Sequence, residues 1–260
     1  MTDTSVGLGG VAASLVLVVV AVVLSLRQGL GVERTIAWAA TRAFVQLLIV
    51  GSALAVVLDD EAPVALALLW VVVMVLIAAY TISRRAKVVP RLFPVGLVAV
   101  GAAALASQLV LFGLGIFDFE PVAIVPLAGM VVGNSLSASV TAARQIVSEL
   151  SGNRLELEAR LALGQPWKVA ARPYVRSAVR TALTAQIEST KTVGLIALPG
   201  AMTGLILAGV DPVDAVLVQV VVMYLILGGA ATATAIVGVG GTRRLFTEDH
   251  RLVRLARPES

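Results

Sequence analysis

Apolar residues fall into seven long stretches, at about 6–26, 36–58, 62–82, 92–117, 121–143, 188–210 and 213–240. Each is long enough to cross a hydrocarbon layer of about 30 Å at a rise of about 1.5 Å per residue. A bilayer leaves no water to satisfy backbone groups, so such stretches span as helices. The pattern predicts an all-α, polytopic membrane helix bundle of about seven transmembrane helices, with residues 1–260 forming a single transmembrane domain. No basic residue precedes Val6–Leu26, so this first stretch reads as a permanent span rather than a cleaved signal.

The connections sort by charge. Arg27, Arg34 and Arg42 flank the first turnaround; Arg84, Arg85, Lys87 and Arg91 crowd the third. The fifth carries Arg144, Arg154, Arg160, Lys168, Arg172, Arg176 and Arg180, and Arg243, Arg244, Arg251, Arg254 and Arg257 follow the last stretch. The second, fourth and sixth are acidic, with Asp59, Asp60, Glu61, Asp118, Glu120, Asp211 and Asp214. With Lys191 at the inner edge of the sixth stretch, all 20 basic residues lie on one side of a seven-span arrangement. The positive-inside rule places the N-terminus outside, the C-terminus in the cytoplasm, and 243–260 as a cytoplasmic tail.

Composition narrows the chemistry. The chain is 58% hydrophobic and 14% charged, with a mean hydropathy of +0.96, too apolar for one soluble core of this size. Without cysteine, disulfides and thiolate chemistry are excluded, and the single histidine, His250, lies in the charged tail. Topology accounts for the pI near 10.0, so no nucleic-acid partner is implied. None of the three lysines follows the glycines of a phosphate-binding loop, so any ATP hydrolysis belongs to another subunit. No catalytic residue set is present, and no cofactor is expected on this chain itself.

Residues 144–187 form the longest polar connection. Gly152-Asn153 breaks the chain, Arg154–Leu163 alternates charge with Leu and Ala as a short amphipathic helix, and Gly164 ends it. Such an element suits either a groove on a partner protein or the lipid headgroups. Glu158-Ala159, with Arg160 third and Gly164 six positions after the glutamate, resembles the coupling loop of ABC-transporter permeases. That family has alanine where Arg160 stands.

Within the spans, Arg180, Thr184 and Glu188 recur every four residues and Lys191 follows by three, so one polar stripe carries a Glu188–Lys191 pair. The pair reads as a cytoplasmic gate or as interfacial residues with Lys191 snorkelling. Pro199-Gly200 predicts a kink or break, whose freed carbonyls need protein or water beside them. Gly129-x3-Gly133 and Gly200-x3-Gly204 are close-approach faces, for packing within a subunit or for a dimer. Gln46, Met130, Asn134, Met202 and Gln219 are candidates for a transport path, and amides also serve as interhelical hydrogen-bond partners. Glu61-Ala62-Pro63, Glu120-Pro121 and Asp211-Pro212 read as helix starts, or as an acidic mouth attracting cations.

Ala128-Gly129-Met130 through Gly133-Asn134, Leu161-Ala162-Leu163-Gly164, Arg176 through Ala182, and above all Ser189-Thr190-Lys191-Thr192-Val193-Gly194 through Pro199-Gly200 to Gln219 resemble the FetB-type iron-export permease family, which includes a plant aluminium-tolerance branch. The resemblance, which includes Arg42 and Gln46, spans nearly the whole chain. It implies a multi-pass permease of the cell membrane that pairs with a cytosolic ABC ATPase. ATP and Mg would sit on that partner, iron would be the cargo, and Glu158, Ala159, Arg160 and Gly164 would couple the two. One set of spans per chain implies a permease homodimer in the lipid bilayer. A sugar nucleotide, linked to the plant branch, is the alternative cargo. A proton-coupled secondary transporter using Glu188 is the alternative mechanism, and a membrane-embedded enzyme lacks the residues it would need.

Overall fold

A computed structural model of the chain describes residues 8–59, 62–195, 198–247, 249 and 251–253. Glu61, His250 and the tail beyond Val253 lie outside the described residues. The chain divides into two compact units, residues 1–62 and 63–260.

The first unit is a helical hairpin of α1 (Leu8–Gln28) and α2 (Glu33–Val57). Its turn is tied by the Ser25 hydroxyl donating to Glu33 at 3.1 Å. Most described side chains of the two helices face outward, as membrane-exposed apolar helices must.

The second unit holds α3 (Val64–Arg85), α4 (Phe93–Gly113), α5 (Pro121–Gly152), α6 (Arg154–Ala162), α7 (Trp167–Ala170), α8 (Arg172–Thr192), α9 (Gly200–Leu207) and α10 (Pro212–Arg243). The 32-residue helices α5 and α10 form its centre: both pack on each other, on α4 and on α8, and α3 closes against α4 and α5. Small residues set this packing. Ala99, Ala103, Ala128, Ala142, Ala178, Ala230 and Ala233 are fully buried, and in lipid small side chains let helices approach closely for dispersion contact. Gly229, Gly240 and Gly238 mark the tightest crossings: a Cβ there would lie 2.7 Å from Val131, 2.8 Å from Val95 and 2.9 Å from Val179.

Prolines start the helices as the sequence predicts. Pro121 and Pro212 occupy the first turns of α5 and α10, and the Asp211 carboxylate accepts from the Val213 N–H at 2.8 Å. Pro63 instead stands at the N-cap of α3.

The all-helical, polytopic expectation holds. Among the described residues five helices, α2, α3, α4, α5 and α10, are long and apolar enough to cross a membrane, and α1 contributes a shorter apolar segment, Ala13–Gln28. The sixth predicted span differs. No continuous helix covers 188–210: the polar helix α8 begins sixteen residues earlier, at Arg172, and ends at Thr192, the described residues 193–195 and 198–199 are non-helical, and α9 starts at Gly200. Helix α8 stays helical because Tyr174, Ala178 and Ala182, four apart on one face, are buried, with α5 and α10 as its neighbours. Pro199 then serves as the N-cap of α9, so of the expected kink or break the structure has the break.

Candidate functional site

Helix α8 runs antiparallel to α5, and two hydrogen bonds set its register. Ser177 donates to Glu149 at 2.8 Å, and the Gln186 amide donates to the Asn134 side-chain oxygen at 2.9 Å. Asn134 in turn donates to the Met130 carbonyl one turn away, at 2.8 Å, so its amide is engaged on both sides. Depth follows from α5. Arg144 donates twice to the carbonyl of Arg85, the last residue of α3, at 3.1 and 2.8 Å. That level carries Arg84, Arg85 and Lys87, which suits a membrane edge. Asn134 is ten residues above it, about 15 Å, and thirteen residues, about 20 Å, below Pro121 at the other end. The Asn134–Gln186 bond therefore lies near the middle of the crossing.

Glu188 and Lys191 are two and five residues further along α8, about 3 and 7.5 Å beyond this bond, toward the Pro121 end. They form an ion pair of 2.9 Å, with Lys191 63% and Glu188 58% exposed within the unit. Charges at this depth belong beside protein or water, not lipid. Counted along α5 and α8, the pair stands nearer the middle of α5 than the end that carries Arg144. Arg176, Arg180 and Thr184 continue its stripe downward, all exposed. The helix ends one residue past Lys191, and α9 does not begin until Gly200. Discontinuous helices are elements around which many transporters build a midplane site.

The other path candidates divide. Met130 is half-buried beside Asn134 in α5. Gln219 is buried in α10, its side-chain oxygen without a partner. Met202 lies on α9, which packs chiefly on α10, and Gln46 is exposed on α2 in the first unit. Gln186 is the residue the sequence reading missed: it bonds Asn134 from α8, in a stretch expected to be a loop. Of the glycine faces, a Cβ at Gly129 would lie 3.8 Å from the Met74 sulfur, whereas one at Gly133, Gly200 or Gly204 would meet no described atom within 4 Å. Among the described residues no group of three or more His, Cys, Asp or Glu comes together.

At the basic end, α6 and α7 cap the bundle. Leu157 is fully buried and fastens α6, while Leu155 and Leu163 are 85% and 83% exposed. Leu155, Ala159, Ala162 and Leu163 share one face by helical spacing, and it is uncovered. Ion pairs Arg154–Glu158 (2.7 Å) and Arg160–Glu156 (2.6 Å) bridge successive turns. The Arg160 hydrogen bond holds the Glu156 carboxyl below the usual carboxylate range. Gly164, at φ +82°, ends the helix; its N–H bonds the Leu161 carbonyl and that of Gln165 bonds Arg160. This double closure needs a left-handed residue, which glycine adopts without steric cost. The chain after α10 returns to this element: Phe246 stacks on Trp167 of α7 at 5.5 Å and bridges to Leu252.

Residues 8–246 match the family described as "Uncharacterised protein family (UPF0014)". The chain is 34% identical to the "Probable iron export permease protein FetB" of Escherichia coli over 93% of each chain. It is 38% identical to the "UPF0014 membrane protein STAR2" of Oryza sativa over 85% of this chain and 78% of that one. To "Protein ALUMINUM SENSITIVE 3" of Arabidopsis thaliana it is 36% identical over 86% and 81%. No solved structure matches it. The chain belongs to the UPF0014 family and is a multi-pass membrane protein.

Proposed function

From that membership we propose that this permease is the membrane subunit of an ATP-driven exporter. ATP and Mg act on a separate cytosolic subunit, and the cargo is iron or a related metal, as the name of the Escherichia coli relative suggests. The basic end of the second unit is cytoplasmic. The observation that carries the reading is α6: a rigid helix, fastened by Leu157, that presents Leu155, Ala159, Ala162 and Leu163 outward. An uncovered apolar face on a helix braced by charges suits insertion into a groove. Glu158 on its flank supplies a charge that fixes register.

Two copies complete the transporter in this proposal. One chain supplies a single interrupted helix, and within the second unit the polar face of α8 and the glycines of α9 remain uncovered. Movement of α6, passed to α8 through the short α7, would shift the Glu188–Lys191 pair and open the path beside Asn134.

Detergent pull-down tests the docking. Wild type should capture the ATPase, and Glu158→Lys or Leu155→Asp should lose it while thermal stability holds, since both side chains are exposed. Equal capture by all three proteins would refute coupling through α6. In vesicles, efflux should require ATP; efflux driven by a pH gradient alone would support a proton-coupled carrier.

A further inference from the structure

Beside α6 the structure holds a groove of about 840 Å³, lined by Arg160, Arg172, Arg176, Arg180, Ser177 and Thr181. Three of the four arginines, at 172, 176 and 180, stand one above another on α8, spaced by four. Like charges at that spacing repel, so the stripe needs a reason. Neighbouring acids do not supply one. Glu156 is engaged by Arg160, and Glu149 accepts from Ser177. Among the described residues no carboxylate lies within ion-pair distance of Arg172, Arg176 or Arg180.

Positive-inside sorting explains why arginines are on this side, but it asks only for basic residues somewhere in the loop. It does not ask for three on one helical face, around a concave groove, with hydroxyls between them. The Ser177 hydroxyl is already donated to Glu149, but guanidinium forks with the Thr181 hydroxyl beside them match the donors that phosphate oxygens require. The groove is also of the volume that encloses a small ligand. It is distinct from the apolar docking face of α6, on which Arg160 does not lie.

We propose that this groove is a binding site for a phosphate-bearing anion. Arg176 and Arg180 are its principal contacts, and Arg172 and Thr181 complete it. Arg180 lies three helical turns below Lys191 on the same helix, at the foot of the stripe that leads to the interrupted segment. An anion held there neutralises the approach to that stripe. The phosphate comes from a lipid headgroup at the membrane edge or from a soluble phosphate compound. The site is independent of whether ATP or a proton gradient drives transport.

The test uses the full chain in phosphatidylcholine nanodiscs titrated with inorganic pyrophosphate. In a second arm, discs contain phosphatidylglycerol, and native mass spectrometry counts the anionic lipids retained. Arg176→Gln/Arg180→Gln is compared with a charge-matched control, Arg84→Gln/Lys87→Gln, outside the groove. Pyrophosphate binding weakened on the order of 10–100-fold by the groove variant alone supports the site with a soluble ligand. Loss of retained phosphatidylglycerol in the groove variant alone supports it with a lipid. Equal behaviour of the two variants in both arms overturns the proposal. If the groove variant then also loses capture of the ATPase, the arginines serve an acidic protein surface instead.

Discussion

Gly229 shows how little room single positions in the bundle allow. A Cβ built there falls 2.7 Å from Val131 and 3.3 Å from the Ser135 hydroxyl. Val131 is 1% exposed, and a β-branched side chain in a helix has essentially one χ1 rotamer. It cannot step aside without disturbing α5. Gly229→Ala is therefore expected to destabilise the protein by about 1–3 kcal/mol, read as a lowered thermal midpoint in detergent. Gly228→Ala, next to it but with open space at its Cβ, should leave the midpoint nearly unchanged. Equal effects of the two would mean that α5 and α10 do not cross here. Nothing in the sequence singles out Gly229 over Gly228; only the crossing of two helices does.

Among elements, α8 is the one whose character the sequence concealed. The apolar windows that locate α3, α4, α5 and α10 also include 188–210, because Val193 to Val210 is apolar enough to dominate the average. What makes residues 172–187 helical is a face of Tyr174, Ala178 and Ala182, and alanines four apart barely register as a hydrophobic stripe. The polar face was legible through Arg180, Thr184, Glu188 and Lys191, but its depth was not, since depth depends on pairing with α5. The α6 helix was legible, Gly164 and all, because its signals are local. The Asn134–Gln186 bond can be measured as the link between α8 and α5. In a double-mutant cycle of Asn134→Leu and Gln186→Leu, unfolding energies should show a coupling of about 0.5–1.5 kcal/mol, the range found for interhelical hydrogen bonds in membranes. Strictly additive effects would show that the two amides act separately, and the register that puts Glu188 and Lys191 near mid-depth would fail with them.

For the whole molecule the governing quantity is length against charge. Helices α5 and α10 each contain 32 residues, about 48 Å at 1.5 Å per residue, against a hydrocarbon core of about 30 Å. Each must project beyond the lipid at one end. Both begin beside an acid, Glu120 and Asp211, and continue past or up to arginines, Arg144 in α5 and Arg243 at the end of α10. The basic ends carry α6, α7 and the chain after Arg243, so in the proposed orientation the projecting parts lie together on the cytoplasmic side. Because the chain has no cysteine, single thiols can be introduced without a prior background to remove. In intact cells an impermeant maleimide should label Asp118→Cys and Asp214→Cys. Lys87→Cys and Lys168→Cys should stay unlabelled until the membrane is opened. All four positions are on polar turns or helix ends and are exposed in the structure, so silence reports sidedness rather than burial. Labelling at 87 and 168 with silence at 118 and 214 would invert the protein and place α6 and the arginine groove outside, where neither a cytosolic ATPase nor a cytoplasmic anion could reach them.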